Sequence, residues 1–187
     1  MSVLKIPADQ KVALDAGFAA AFGGAPERYF SAPGRTEIGG NHTDHQRGRV
    51  LAGAVNLDTV AAVRLNGTDT IRILSKGYPV SVVNVTELTP VESEINSTPA
   101  LIRGVVARFT EMGCKVEGFD AYCESTVLPG SGLSSSAAYE VLIGTIVNHL
   151  FFEGKVWGQY STDSEFGVEG EIKKYLFLQS VPGQSAQ

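Results

Sequence analysis

One stretch narrows the folds open to this chain more than any other. Phe119 to Leu128 (FDAYCESTVL) alternates apolar and polar residues and reads as a β-strand. It runs into LPGSGLSSSAA, Leu128 to Ala138, and then into a long apolar segment, Ser136 to Phe152, that reads as a helix. In a strand, glycine-serine bend and helix of this kind, backbone N–H groups converge at a helix N-terminus, where the dipole favours an anion. Gly130 and Gly132 allow positive φ and close approach to a ligand. Ser134, Ser135 and Ser136 add hydroxyls suited to phosphate oxygens or to a magnesium ion, which prefers hard oxygen ligands. Together these features suit a triphosphate. A Walker loop needs GxxxxGK[ST], and no Lys follows Gly132; a hydrolase elbow needs GxSxG, and neither Ser131 nor Ser134 is flanked that way. A plain turn with a serine cap is the simpler reading, but three serines followed by two alanines exceed what a cap requires.

The rest of the chain supplies a framework for that unit. Residues 9–22 (DQKVALDAGFAAAF) predict a helix stopped by Gly23-Gly24. Ser31 to Arg49 is polar and glycine-rich and reads as a long loop of the kind that carries function. Thr59 to Leu65 and Thr70 to Ser75 read as strands, and Asn66-Gly67 between them favours a hairpin turn. Val80 to Val85 is a third strand, and a helix opened by Pro99 presents Leu101, Val105, Phe109 and Met112 on one face. The expectation is one α/β domain over residues 1–155, with a mixed or antiparallel sheet and flanking helices. Residues 156–187 mix Gly, Ser and acidic residues and are expected to form a divergent tail, the least ordered part.

Composition excludes some classes. The 187 residues are 43% hydrophobic and 19% charged, a folded rather than a disordered mix. The net charge is −5 with no Lys/Arg run, which argues against a nucleic-acid partner. No segment has the apolar length of a signal core or membrane span, so a cytoplasmic protein is expected. Cys114 and Cys123 are not spaced as CxxC and sit among apolar residues, so buried reduced thiols are expected.

A second cluster lies in PGRTEIGGNHTD, Pro33 to Asp44. A sugar presents several hydroxyls, and its site needs carboxylates and amides held in fixed directions. Asp44 can accept two hydroxyls, Asn41 and His42 can serve others, and Arg35 can stabilise charge on a transferring phosphoryl group. Taken alone, Arg35 and Asp44 fit a surface ion pair equally well. His42 and His45 lack the further ligands of a zinc site.

The two clusters together resemble the GHMP kinases, and within them the galactokinases. APGRTEIGGNHTDHQRGRVLAGAVN is similar to the pattern GRxNxIGEHTDYxxGxVLPxAxx, and LPGSGLSSSAA to PxGxGLSSSAA. The resemblance implies a ribosomal protein S5 domain 2-like N-terminal domain and ATP- and Mg2+-dependent phosphorylation of D-galactose to galactose 1-phosphate. By position it implies Arg35 as transition-state stabiliser and Asn41, His42, Thr43 and Asp44 at the sugar. It also implies Ser75, Gly130, Ser131, Gly132, Leu133, Ser134, Ser135 and Ser136 at ATP, Ser136 on magnesium, and Val127 to Gly132 leading the chain to the phosphates. Asn41 stands where the pattern has Glu, and His45 where Tyr is common. The CGxMDQ segment, whose Asp the resemblance makes the catalytic base, has no match, nor does the Glu of ENxFxG; GQYSTDSEFG (Gly158 to Gly167) keeps only the outline. The family's C-terminal domain is also unmatched. Two further readings follow: a non-catalytic galactokinase-like fragment or sugar or nucleotide sensor, and a kinase for a related sugar such as N-acetylgalactosamine.

Overall fold

The computed structural model describes residues 6–39, 51–128, 130–133 and 135–154. In chain order the elements are α1 (Ala8–Phe22), β1 (Arg28–Gly39), β2 (Leu51–Leu65), β3 (Thr70–Ser75), β4 (Ser81–Asn84), α2 (Thr98–Glu111), β5 (Phe119–Ser125) and α3 (Ser135–Phe151). The five strands form one sheet in the order β1-β2-β5-β3-β4. β3 and β5 run parallel and the other neighbours antiparallel, so the sheet is mixed, as expected.

Helices cover both faces. Leu14 and Phe18 of α1 pack on Val60, Ala62 and Tyr122. On the other face α2 and α3 bury Val106, Phe109, Leu142 and Ile146 against Ala61, Ile73 and Phe119. Ser97 caps α2 by accepting from the Ala100 amide at 3.4 Å, and Gly23 ends α1 at a φ of 71°. The buried line of α2 runs through Ile102, Val105, Val106 and Phe109, with Leu101 and Met112 only partly covered, so its predicted face is turned by about one residue.

Three expectations change. The predicted loop from Ser31 to Arg49 is β-strand over its first nine residues, in β1, while residues 40–49 lie outside the described residues. Pro33 and Gly34 would break an interior strand, but β1 lies at the sheet edge and its register shifts between Pro33 and Arg35. Its polar Ser31 finds a partner across the pair, its Oγ donating to Asp58 Oδ2 at 2.6 Å. β2 correspondingly begins at Leu51 rather than Thr59.

Second, Asn66-Gly67 makes a turn, with Gly67 at a φ of 66°, but not a hairpin, because β5 enters between β2 and β3. The turn wraps the start of β5. Gly118 N donates to Thr68 O at 2.7 Å, Asn66 N to Gly118 O at 3.3 Å, and Asn66 Nδ2 to both Thr70 O and Asp120 Oδ1 at 2.9 Å. A Cβ on Gly118 would overlap the Thr68 and Thr70 carbonyls, so this crossing requires glycine. Third, β5 is buried on both faces from Phe119 to Cys123 rather than half-exposed, and its polar Asp120 is fully covered. Both cysteines are free and buried, as expected, and burial pushes the Cys123 thiol up to about 12. No helix among the described residues is long and apolar enough to cross a membrane. The predicted tail, residues 156–187, lies outside the described residues.

Candidate active site

The glycine-serine bend leaves the sheet from a tied base. The Thr126 amide and hydroxyl donate to Asp58 O at 2.9 and 3.1 Å, and the Asp58 amide donates back to Thr126 Oγ1 at 3.0 Å. Thr59 Oγ1 and Ser125 Oγ lie 2.8 Å apart, and Ser125 Oγ accepts from Val127 N at 3.1 Å. These hydroxyls close the end of β5 onto β2, so the chain beyond Val127 starts from a fixed point. Ser131 then donates twice to Leu128 O, from its amide at 3.2 Å and its hydroxyl at 2.6 Å. Gly130 and Gly132 both take a φ of 75°, the conformation that favours glycine and turns the chain into α3.

The bend faces outward. Gly130, Ser131, Gly132 and Ser136 are exposed, and Leu133 and Ser135 half-buried. No acidic residue occupies the first turn of α3, so the positive end of its dipole is not neutralised there.

β1 meets the far side of the bend. Arg35 N donates to Leu133 O at 3.1 Å, and a Cβ on the preceding Gly34 would lie 3.0 Å from Val127 Cγ2 and 3.2 Å from Leu133 O. The strand carrying the arginine therefore touches both ends of the bend. The two sequence clusters, ninety-five and more residues apart where Arg35 and Gly130 to Leu133 are concerned, share one rim of the sheet.

Ser75 ends β3 opposite Cys123 of β5, with Lys76 N donating to Cys123 O at 2.9 Å, which sets it at the same end of the sheet. Tyr139 in α3 lies over it. Burial raises that phenol well above its ordinary range, with the nearby Ser75 hydroxyl opposing the shift, and Tyr139 Oη makes no close hydrogen bond to a described residue. Asn41, His42, Thr43, Asp44 and Ser134 lie outside the described residues. Among the described residues no three His, Cys, Asp or Glu side chains gather as a metal cluster.

Sequence reasoning singled out Arg35 and the bend but missed what joins them. Gly34 and Val127 form the seat, and the Asp58–Thr126 pair anchors its base. One signal was available: a glycine inside a strand often marks a close approach of another backbone.

Comparison with known proteins places the chain among sugar kinases of one family. The galactokinase galactose-binding signature matches residues 16–65, and the N-terminal domain of GHMP kinases matches residues 100–164. Over 140 residues the chain is 34% identical to a galactokinase of Lacticaseibacillus paracasei, covering 74% of this chain and 36% of that one. It is 28% identical over 186 residues to the galactokinase of Lactococcus lactis subsp. lactis, covering 89% and 47%. The chain thus spans between about a third and a half of the length of these curated relatives. The crystal structure of Lactococcus lactis galactokinase complexed with galactose superposes with a TM-score of 0.73 at 24% identity, over 94% of this chain and 44% of that one. The Methanococcus jannaschii mevalonate kinase shares the fold at a TM-score of 0.59 and 15% identity, over 87% and 49%. With its signature strand set against its glycine-serine bend, the chain belongs to the galactokinase branch of the GHMP kinase family and carries that family's N-terminal α/β domain.

Proposed function

We propose that this chain binds ATP at the Gly130–Ser136 bend and D-galactose beside β1, for phosphoryl transfer to the sugar C1 hydroxyl. The observation that carries the reading is the Arg35 N to Leu133 O bond at 3.1 Å, a backbone contact that supports an arginine beside the bend proposed to take the phosphates. In this reading Arg35 stabilises charge that spreads over the transferring phosphoryl oxygens. Asn41, His42, Thr43 and Asp44 hold the sugar hydroxyls, and Ser75, Ser131, Ser134 and Ser135 help to place the nucleotide. Ser136, exposed on the first turn of α3, fits a magnesium ion that keeps mostly water and phosphate oxygens as ligands, and the described residues offer no all-protein cage.

A second reading, binding without turnover, is favoured by the lack of any match to CGxMDQ in the sequence. General base catalysis contributes about 10²–10⁴-fold, so a chain without its base would turn over that much more slowly. Calorimetry with magnesium-ATP and with galactose, followed by a coupled ADP-release assay, tests both readings. Saturable binding of both ligands supports the proposed pair of sites, and turnover separates an active kinase from a binding module. Binding of neither ligand sinks the proposal. Running the assay on N-acetylgalactosamine tests whether Asn41, in place of the pattern's Glu, shifts sugar preference.

A further inference from the structure

We infer that Gly34 is a positioning residue whose contact with the phosphate bend makes nucleotide and sugar binding mutually dependent; this rests on the function proposed above. Gly34 is buried, and its φ lies outside the left-handed region, so its requirement is for space rather than for unusual backbone freedom. A Cβ there would sit 3.0 and 3.1 Å from the two methyls of Val127, where the bend begins, and 3.2 Å from the carbonyl of Leu133, just before α3. These distances are tighter than ordinary van der Waals contact, so a side chain at position 34 requires Val127, the bend or β1 to give by a few tenths of an ångström. The next amide, Arg35 N, then reaches Leu133 O at 3.1 Å.

The acceptor matters because Leu133 belongs to the bend itself. Phosphates gathered by the bend's amides would fix its conformation, and fixing the bend fixes Leu133 O. With that carbonyl held, the bond that already joins it to Arg35 is held as well, and the sugar meets a strand that shifts less on binding. Linkage requires the converse, so galactose must tighten nucleotide binding by the same factor. One backbone hydrogen bond supports a factor of about 5. Gly34→Ala, which needs β1 or the bend to shift by a few tenths of an ångström, would lengthen the Arg35 bond and weaken the coupling between the two sites.

The test measures galactose affinity on the whole chain by calorimetry, with and without saturating magnesium and the non-hydrolysable analogue β,γ-imido-ATP, in wild type and Gly34→Ala. Amide exchange at Arg35, followed by NMR in wild type with and without the same analogue, needs no variant and so stands even where Gly34→Ala fails to fold. The expected result is galactose binding about fivefold tighter in the presence of the analogue, a clearly smaller ratio in Gly34→Ala, and slower exchange at Arg35 on adding the analogue. A loss of folding stability alone would leave the ratio unchanged, so the ratio reports positioning. If wild type binds both ligands with a ratio of 1, or Arg35 exchange ignores the analogue, the inference fails while the proposed function stands. If wild type binds neither ligand, the proposed function fails and the inference with it.

Discussion

Asp120 gathers partners from several strands at one buried point, and its removal gives a sharp stability test. Its carboxylate is fully buried in the central strand. It accepts from Arg72 Nε and Nη2, each at 2.7 Å, and from Asn66 Nδ2 at 2.9 Å, with Arg64 Nη2 3.9 Å away. These contacts tie β2, β5, β3 and the turn around Gly118 together at one point. Hydrogen bonds to a charged group contribute about 1.5–3 kcal/mol each, so three such bonds set an upper bound well above the net effect. Two corrections lower it: Arg72 is 45% exposed and can turn to water, and truncation also relieves the desolvation of a buried carboxylate. We expect Asp120→Ala to destabilise by about 3 kcal/mol. Asp120→Asn, which keeps an acceptor for Asn66 but turns an amide against Arg72, should cost about 2 kcal/mol. At about 2–4 °C per kcal/mol for a domain this size, the alanine variant should melt about 6–12 °C lower. Urea unfolding followed by circular dichroism measures the loss, and a double-mutant cycle with Arg72→Ala should return a coupling of about 1.5 kcal/mol or more. An Asp120→Ala loss below about 1 kcal/mol with no coupling to Arg72 would refute the reasoning.

Other perturbations follow from the same packing. A Cβ at Gly17 would overlap the Tyr122 ring, so Gly17→Ala should cost about 1–3 kcal/mol in urea unfolding, whereas Gly104→Ala, in the interior of α2 with open space around it, should stabilise by about 0.5–1 kcal/mol. Arg103 donates to both Glu94 oxygens, at 2.9 and 2.8 Å, and holds that carboxyl below its ordinary range. A depressed folded value stabilises above the unfolded carboxyl range, so the advantage of wild type over Glu94→Gln should be constant down to about pH 5 and fade below it in unfolding curves taken across pH. Burial holds the Cys123 thiol up at about 12, so a thiol reagent near neutral pH should label it only on unfolding; rapid labelling of native protein would contradict its placement.

Local signals were legible in the sequence and non-local ones were not. The stop at Gly23-Gly24 and the span of β3 are set within a few residues, and each appears where the sequence placed it. The strand character of Ser31 to Gly39 was hidden because Pro33 and Gly34 weaken a strand everywhere except at an edge, and edge position is a property of the whole sheet. The hairpin at Asn66-Gly67 was misread because β5, more than fifty residues later, pairs with both neighbouring strands. For the site, Arg35 and Gly130 to Leu133 were picked out by residue type, and the structure brings them together. The seat between Gly34 and Val127 was not legible, since it arises only when β1 and the bend meet across the sheet.

The central claim is that the bend holds nucleotide phosphates beside the strand carrying Arg35, and a nitroxide label tests it directly. Thr36 is exposed on β1 and Thr68 is exposed at the opposite end of β2, so each can be changed to cysteine and labelled while the buried native thiols stay unmodified. Phosphorus NMR of bound magnesium-ATP should show its phosphate signals strongly broadened by a label at position 36 and little affected by one at position 68. Equal broadening from both positions, or stronger broadening from position 68, would contradict the account.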